Sequence, residues 1–351
     1  MMDESSQTSP CDKQTGTNTQ PQTHLLASTA TSHNLSGHPN HVLSVEDFAA
    51  LFGITAGELS QDCRSLINSH DFRYRILEGE ERDQILLDVL KRIEADTQEI
   101  GAPQRKGVFE KGWSENYQAF QQSQYDLDEL VPKYIRPNSI VRLNLQYVMP
   151  ESPTFELDYY SVFRHWLFKT YLHDMQSVYE FGCGTGWNLV ALAQMYPTME
   201  IHGLDFVPSS RDLVDKIGSV YGLNFTGHVF DMLAPDENIS LKGRSAIFTV
   251  GALEQLAGDF EPFLQFLMKR SPALCITVEP TLELYDENNL VDYLAMKFHS
   301  KRGYTTGLFP RLKQLETLGK VEILHTNRSL IGNMLMDGYS LMVWRPKKDK
   351  H

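Results

Sequence analysis

Residues 177–188 read S-V-Y-E-F-G-C-G-T-G-W-N, a β-prone run that reaches an acid and then three alternating glycines. A segment of helix-forming residues, Leu189 to Met195, follows at once. A strand, a tight glycine turn and a helix form the layout in which a chain brings its backbone against a nucleotide-like ligand. The spacing of the glycines narrows the class of ligand. The dinucleotide fingerprint G-x-G-x-x-G would need its third glycine at position 187, where the chain has Trp187, and no Gly-Lys-Ser/Thr follows to form a phosphate-binding P-loop.

The part of the chain after this loop alternates short apolar strands with helices. We predict strands over 199–206, 225–230, 245–250, 274–278, 321–324 and 339–344, and helices over 155–172, 211–221, 260–269 and 288–299. Short apolar strands between helices are typical of a doubly wound, mainly parallel sheet. The sequence therefore predicts an α/β fold whose main domain covers residues 151–351.

Two segments precede this domain. Residues 1–42 are rich in Ser, Thr, Gln and Asn and poor in bulky apolar groups, which predicts a disordered tail because such a segment cannot offset the entropy lost on ordering. Residues 43–150 combine helical spacing with many aromatic side chains and are predicted to form a helical accessory cap. Ser44 is expected to cap its first helix, and Thr55 with Glu58 to form a capping box for its second. This region is interpreted either as a substrate lid or partner-binding cap, or as simple packing on the main domain.

The composition restricts the classes of partner. The chain has 351 residues, a formal net charge of −13 and a pI near 5.4, which disfavours nucleic-acid binding because that needs a basic face. The four cysteines form no C-x-x-C pair, so the sequence predicts neither a disulfide framework nor a metal site. No apolar run approaches the length of a membrane span, and the N-terminus lacks the features of a signal or transit peptide. We expect a cytoplasmic protein with no nucleic-acid or membrane partner.

The loop pattern is E-x-G-x-G-x-G, with the acid Glu180 and the glycines Gly182, Gly184 and Gly186. It resembles the first motif of class I S-adenosylmethionine-dependent methyltransferases. The resemblance covers residues 177–345. It implies S-adenosyl-L-methionine as the cofactor and a Rossmann-like sheet of seven strands, the last of them antiparallel. Together with a G-W-x-x-N and a G-A-L-E-Q segment, the loop is also loosely similar to bacterial methyltransferases of sugars and small metabolites.

Each part of this cofactor has candidate partners under the resemblance. The glycines let the backbone approach the ligand without a Cβ clash, and Glu180 can attract the cationic amino-acid portion. Asp205 ends the second strand, where a carboxylate can accept both ribose hydroxyls, and Phe206 can lie against the adenine. In the family, an acid after the third strand, here Asp231, takes the adenine amino group, and the next backbone amide, here Met232, takes a ring nitrogen. The remaining candidate cofactor-binding residues lie in the loop itself and are Cys183, Trp187 and Asn188.

Three further residues are candidates for catalysis. The segment G-A-L-E-Q-L at 251–256 resembles the V-L-E-H-L segment of many small-molecule methyltransferases. Glu254 matches its acid, whereas Gln255 replaces a histidine that sometimes acts as a base. Glu279 follows the fifth predicted strand at the same edge of the sheet and is either a second acid or a cap. His299 is the histidine best placed to act as a general base.

Residues 297–304 form the clearest basic stretch before the C-terminal tail. Two interpretations stay open, namely binding of an anionic substrate and a solvated helix end that favours cations. The predicted function is transfer of a methyl group by in-line displacement to an oxygen or nitrogen atom of a small molecule such as a sugar or an anionic metabolite. The alternatives are a methyltransferase for peptide or protein side chains and a non-catalytic S-adenosylmethionine-binding module. The sequence contains no motif that separates O- from N-methylation or that sets an oligomeric state.

Overall fold

The computed structural model describes residues 41–101 and 105–347. The predicted disordered tail lies outside these ranges except for its last two residues. The strands are β1 (His41–Val42), β2 (Arg73–Ile76), β3 (Val141–Leu143), β4 (Gln146–Pro150), β5 (Ser177–Phe181), β6 (Glu200–Asp205), β7 (Phe225–Val229), β8 (Ser245–Val250), β9 (Leu274–Val278), β10 (Val321–Asn327), β11 (Ile331–Asn333) and β12 (Leu341–Pro346). The helices are α1 (Val45–Phe52), α2 (Gln61–Ser69), α3 (Gly79–Ala95), α4 (Arg105–Gln122), α5 (Phe155–Tyr171), α6 (Trp187–Met195), α7 (Pro208–Tyr221), α8 (Glu261–Arg270), α9 (Leu290–Arg302) and α10 (Leu308–Thr317). Among the residues described, no helix is both long and apolar enough to pass through a bilayer.

Seven strands form the main sheet in the order β10-β12-β9-β8-β5-β6-β7. Strands β7, β6, β5, β8 and β9 are parallel, while β12 runs antiparallel to both of its neighbours, β9 and β10. Every residue of β5 and β9 is buried, as expected where helices cover both faces of a parallel sheet. The predicted doubly wound sheet of seven strands with an antiparallel last strand is confirmed.

The central strand β5 marks the point where the order of strands reverses. It has β6 on one side and β8 on the other, so the chain winds outward from it in both directions. Ligands of such sheets bind outside the carboxyl ends of the strands at this reversal. The glycine loop follows β5, and Asp205, Glu254 and Glu279 lie at or just after the ends of β6, β8 and β9. The topology therefore brings the predicted site residues of four strands to one edge of the sheet.

A second sheet, in the order β1-β2-β4-β3-β11, was not expected from the sequence. Its strands are antiparallel and two to five residues long, too short to show the alternation of apolar and polar residues that identifies a strand. Its last strand, β11, comes from the C-terminal part of the chain. The accessory region is therefore partly strand, and it shares this sheet with residues that follow the main sheet's strand β10.

The capping predictions for the first two helices have different outcomes. Ser44 forms a capping box with Asp47 at the start of α1, as predicted, and Gly53 ends that helix with a left-handed φ of 71°. Thr55 and Glu58 do form a capping box, but it closes a short 3-10 helix, and Ser60 caps α2 instead. The prediction that Thr55 begins α2 is wrong because the local hydrogen bonds can be satisfied by a single turn.

Helix α5 joins the N-terminal helices to the main sheet through aromatic packing. Its Trp166 stacks on Phe52 of α1 with ring centroids 4.7 Å apart, and Phe163 packs edge-on against the same ring at 5.5 Å. Phe168, elsewhere on the helix, contacts Phe248 of β8 at 5.7 Å. These rings belong to one continuous cluster of buried side chains, and each buried side chain of this size contributes about 1.5–3 kcal/mol. Packing of this kind fixes α5 between the N-terminal helix α1 and strand β8 of the main sheet.

Candidate active site

The loop after β5 is held in a conformation that favours glycine. Gly182, Gly184 and Gly186 have φ angles of 74°, 53° and 75°, in the left-handed region that other residues rarely adopt. A Cβ at Gly182 would overlap the Cβ of Ala252, and one at Gly184 would lie 3.0 Å from the ring of Trp113. The loop therefore presents backbone rather than side chains at the carboxyl edge of the sheet.

Glu180, near the end of β5, is 2% exposed and has one free carboxylate oxygen. Its Oε1 accepts a hydrogen bond of 2.7 Å from Asn188, which in turn accepts one of 3.0 Å from the hydroxyl of Tyr160. Its Oε2 has no hydrogen-bond partner among the described residues. Burial raises the pKa of Glu180 to about 8. Because an unpaired buried acceptor costs about 1–3 kcal/mol, this position calls for a donor or a cation from a ligand.

Asp205 ends β6 and ties this strand to the glycine loop. Its Oδ2 accepts from the backbone N–H of Gly184 at 3.0 Å, and its Oδ1 accepts from that of Val207 at 3.3 Å. The hydroxyl of Ser210 donates to the carbonyl of Gly184 at 2.5 Å. Burial raises the pKa of Asp205 to about 6, although the backbone hydrogen bonds lower it. Asp205 therefore lies directly beside the loop.

The other predicted cofactor-binding residues either follow β6 and β7 or lie in the loop itself, and their side chains take different positions. Phe206 meets Phe109 of α4 edge to face, with centroids 5.4 Å apart. Met232 lies beside the first glycine of the loop, whereas Asp231 is exposed and its carboxylate accepts from the backbone of the following turn. The thiol of Cys183 is buried among core residues, and burial raises its pKa well above the usual value. The side chain of Cys183 thus packs in the core, and only its backbone belongs to the loop surface.

Trp187, at the start of α6, forms a stack that the sequence did not reveal. The guanidinium of Arg164 lies 3.8 Å from its ring centroid and donates to its carbonyl at 3.1 Å. Tyr160 stacks on the same ring at 5.3 Å. Both residues come from α5, one turn apart, a spacing that places two side chains on one helix face. That spacing was visible in the sequence, but nothing in it showed which face meets α6.

Helix α4 covers the loop from the outside. Its Trp113, from the G-W-x-x-N segment, packs against Gly184, and its Glu110 accepts hydrogen bonds from Ser209 at the start of α7. Asn116 is buried and donates to the carbonyl of Glu129 at 3.0 Å. The accessory region thus covers the glycine loop. The sequence alone did not decide between a covering role and simple packing for this region.

Glu279 and Glu254 lie together but play different roles. Glu279 accepts hydrogen bonds from the backbone N–H groups of Ala252, Leu253 and Glu254 at 3.1–3.3 Å. It therefore caps the 3-10 helix of residues 253–256, the second of the two roles considered for it. Burial raises the pKa of Glu279 to about 7, and burial together with Glu279 raises that of Glu254 to about 8. Glu279 holds the segment that carries Glu254.

The side chain of Glu254 is linked to helix α4 through Gln255. Gln255 donates to Oε1 of Glu254 at 2.7 Å and accepts at 2.7 Å from Arg105, the first residue of α4. Gln255 thus connects Glu254 to the first residue of helix α4.

His299 is fully buried and stands apart from these acids. Its ring lies between Tyr285 and Tyr304, at centroid distances of 5.7 and 5.2 Å, and neither ring nitrogen has a partner within the described ranges. Burial and the charge of Arg142 lower the pKa of His299 to about 4. The charge of Glu254 acts on the hydroxyl of Tyr304. Helix α9 turns His299 into the core, where its side chain has no exposed surface.

The cations of the basic stretch 297–304 are engaged elsewhere. Lys301 donates to the carbonyl of Glu94 at 2.6 Å, and Arg302 pairs with Asp96 at 2.6 Å. Lys297 is exposed and lies over the ring of Tyr293. The stretch therefore fastens α9 to the end of α3, which agrees with the helix-end interpretation.

A group of tyrosines and carboxylic acids comes from several segments of the chain. Tyr134 is 57% exposed, and the charges of Glu156, Glu254 and Glu180 act on its hydroxyl group. Tyr339 joins this group, since its hydroxyl donates to Glu156 at 3.1 Å and its ring lies 5.2 Å from that of Tyr160. We call this group of side chains the tyrosine–carboxylate recess, and its residues are Tyr134, Tyr160, Tyr339, Glu156, Glu180 and Glu254.

No family model matches the chain, and no curated protein matches it. Within the described ranges, no group of three or more His, Cys, Asp or Glu side chains could hold a metal ion.

Several solved structures are similar in fold. Geranyl diphosphate C-methyltransferase from Streptomyces coelicolor A3(2), solved with S-adenosyl-L-homocysteine, is 10% identical at a TM-score of 0.43, over 71% of this chain and 100% of that one. The plantazolicin methyltransferase BpumL, also solved with S-adenosyl-L-homocysteine, is 13% identical at a TM-score of 0.39, over 70% and 98%. The O-methyltransferase NcsB1 from neocarzinostatin biosynthesis, solved with S-adenosylmethionine, is 12% identical at a TM-score of 0.37; the match spans 55% of this chain and only 57% of the other. All three of these structures are methyltransferases, and each is at most 13% identical to the chain.

Proposed function

We propose that the chain is an S-adenosylmethionine-dependent methyltransferase that transfers a methyl group to an oxygen or nitrogen atom of a small molecule. The observation that carries the proposal is the free buried oxygen of Glu180 at the end of the central strand, beside three glycines in left-handed conformation. A dinucleotide or a phosphate would bring no cation to pair with this buried acid. S-adenosylmethionine brings an ammonium and a sulfonium, which a buried carboxylate attracts.

The residues around the loop fit the other parts of this cofactor. Asp205 is the acid for the ribose hydroxyls, because its position at the end of β6 is where such carboxylates lie. Phe206 and Met232 are the apolar groups for the adenine, with Asp231 for its amino group. The loop glycines would admit the ligand close to the backbone, where any Cβ would meet protein atoms.

The cofactor supplies an already activated methyl group, so the protein's part is mainly to orient the acceptor and exclude water. Orientation alone can contribute on the order of 7–11 kcal/mol to lowering a barrier. Helix α4 covers the loop, and α5 presents Tyr160 and Arg164 beside it. Glu254, held in place by the cap from Glu279, is the residue that would accept a proton from the acceptor.

A small acceptor is favoured over a peptide or protein side chain because Tyr160, Tyr339 and Glu156 of the tyrosine–carboxylate recess are buried. A sugar would suit the hydrogen-bonding groups of the recess. An anionic metabolite is less well served, because Lys301 and Arg302 already have partners.

Calorimetry with S-adenosyl-L-homocysteine tests the cofactor assignment. We expect micromolar binding by the full-length protein and a loss of at least 100-fold in Gly184→Arg and Asp205→Ala, because the first fills the loop and the second removes the acid beside it. Gly222→Arg is the matched control, since Gly222 also has a left-handed φ, of 64°, but has open space around it at the end of α7. Unchanged affinity in both site variants would refute the assignment. Binding without transfer of label from methyl-labelled S-adenosylmethionine to any cell fraction would favour the non-catalytic module.

A further inference from the structure

We infer that Asn188 and Tyr160 are positioning residues of the methyl-donor site and act through Glu180; this inference rests on the proposed function. Their side chains form a chain of hydrogen bonds that ends on one oxygen of the Glu180 carboxylate and leaves the other oxygen for the cofactor's ammonium. Both residues act indirectly, including Asn188, for which the sequence indicated contact with the cofactor itself.

The hydrogen bonds of this chain all point toward the acid. The hydroxyl of Tyr160 donates to Oδ1 of Asn188 at 3.0 Å, and Nδ2 of Asn188 donates to Oε1 of Glu180 at 2.7 Å. With its amide turned the other way, Asn188 would place a carbonyl oxygen against the carboxylate. Because the phenol hydrogen is directed to Oδ1, the amide keeps its N–H group toward the acid. Successive donors of this kind polarise one another and stabilise the charged form of the final acceptor.

The ring of Tyr160 is held in place by other aromatic side chains. The residue is 2% exposed, and its ring contacts those of Trp187, Tyr339 and Phe163 at centroid distances of 5.3, 5.2 and 6.3 Å. A ring packed in this way cannot move without disturbing its neighbours. The hydroxyl of Tyr160 on α5 is therefore a fixed partner for the amide of Asn188 at the start of α6.

Arg164, one helical turn after Tyr160, holds the backbone next to Asn188. Its guanidinium donates to the carbonyl of Trp187 at 3.1 Å and lies 3.8 Å from the centroid of the Trp187 ring. Trp187 immediately precedes Asn188 in α6. Helix α5 therefore contacts both the side-chain amide of Asn188 and the peptide group before it.

The groups that act on the charge of Glu180 come from several elements. Burial raises the pKa of Glu180 to about 8, the hydrogen bond from Asn188 and the charge of Arg164 lower it, and the charge of Asp205 raises it. The ionisable hydroxyls on which Glu180 acts are those of Tyr134 and Tyr160. Removal of the Asn188 donor should therefore raise this pKa further, so that less of the acid is ionised at neutral pH.

Calorimetry of S-adenosyl-L-homocysteine binding tests the role of Asn188, because this ligand also carries an ammonium group. Asn188→Leu should weaken binding about tenfold or more at neutral pH, since a hydrogen bond to a charged group is worth a factor of about ten or more. Tyr160→Phe keeps the ring and should weaken binding about threefold or more. Tyr196→Phe is the matched control, because its hydroxyl also donates to α5, at the carbonyl of Phe168, but from the other end of α6. The control should change the affinity less than about twofold.

Two further measurements separate positioning from a general loss of structure. If Tyr160 acts through Asn188, the double variant should bind no more than about twofold more weakly than Asn188→Leu alone. The weakening caused by Asn188→Leu should also shrink as pH rises through the pKa of about 8, because above it Glu180 is ionised with or without the donor. A structural defect would weaken binding by the same factor at every pH.

Binding by the unmodified protein together with an unchanged affinity in Asn188→Leu would overturn the positioning role and leave the proposed function standing. Factors that multiply in the double variant, or a weakening that is constant with pH, would overturn the positioning role in the same way. No binding of S-adenosyl-L-homocysteine by the unmodified protein would overturn both the positioning role and the proposed function.

Discussion

Two buried groups of charged side chains lie in this molecule, and they differ in whether their charges cancel. The first, the ion tetrad, consists of Arg142, Asp292, Arg328 and Asp337. Arg142 and Arg328 both contact Asp292, at 2.9 and 2.5 Å, and Arg328 contacts Asp337 at 2.7 Å. Two cations face two anions, and the tetrad joins β3, α9 and the segments on either side of β11.

The tyrosine–carboxylate recess is the second group, and its acids have no directly bonded cation. Burial raises the pKa of Glu156 to about 7 and that of Glu254 to about 8, which is the response of acids that lack a counter-ion. Where the chain supplies both signs, the charges serve to hold elements together. Where it supplies one sign and leaves a buried carboxylate oxygen without a partner, as at Oε2 of Glu180, the missing charge is expected from a ligand.

The largest expected effect is the loss of folding stability when one member of the tetrad is replaced. Asp292→Asn would leave two buried guanidinium groups short of a partner, and removing one member of a buried ion network costs about 3–5 kcal/mol. Urea denaturation of the full-length protein measures this loss. Glu322→Gln is the matched control, because it breaks an exposed pair with Arg345 and should cost less than about 1 kcal/mol. A loss below 1 kcal/mol in Asp292→Asn would show that the balanced group is not structural.

The next prediction uses the pH dependence of folding stability to distinguish the recess from the tetrad. Glu180 and Glu254 have a pKa of about 8 in the folded chain and about 4.5 when unfolded, so between these values the native state binds protons that the unfolded state does not. Stability then falls as pH rises, by at most about 1.4 kcal/mol per pH unit for each group. His202 and His299, with a pKa of about 4, act in the opposite sense but only below about pH 6.5. The window for the acids alone is therefore pH 6.5 to 8.

Calorimetric melting of the ligand-free protein between pH 6.5 and 8 tests whether stability falls as pH rises. The melting temperature should decrease across the window, and the decrease should be shallower in Glu254→Gln, which cannot ionise. A melting temperature that stays constant or rises with pH in the unmodified protein would mean that the recess acids are already compensated by the chain.

The sequence predicted the main sheet and the glycine loop because both depend on local patterns. Strands β8 and β9 are apolar runs of six and five residues, and the glycines are required by backbone angles that the spacing already implies. Asp205 could be placed because the end of the second strand follows from the same pattern. Each of these inferences used residues that are close together in the sequence.

The ion tetrad, the role of Glu279 and the recess could not be predicted, because each depends on contacts between segments that are distant in the sequence. Arg142 and Asp292 are 150 residues apart, and β3, which carries Arg142, has only three residues. Glu279 could be recognised as a cap only once the backbone of residues 252–254 was seen to donate to it. The recess draws Tyr134, Glu156 and Glu254 from three segments that no periodicity connects. Sequence reasoning therefore placed the glycine loop and Asp205 at one edge of the sheet and could not assemble the tyrosine–carboxylate recess.

The smallest expected effect concerns how firmly the chain holds a recess acid. Tyr339→Phe removes the one hydroxyl that donates to Glu156, and a single buried hydrogen bond contributes about 0.5–1.5 kcal/mol. The variant should lose about 1 kcal/mol in urea denaturation at pH 7, and because Tyr339 lowers the pKa of Glu156, the pKa of that acid should rise above about 7. Tyr293→Phe, an exposed tyrosine on α9, is the control and should change stability by less than about 0.5 kcal/mol. A loss above 3 kcal/mol would place Glu156 with the tetrad as a structural charge, and the distinction between the two groups would then fail at this residue.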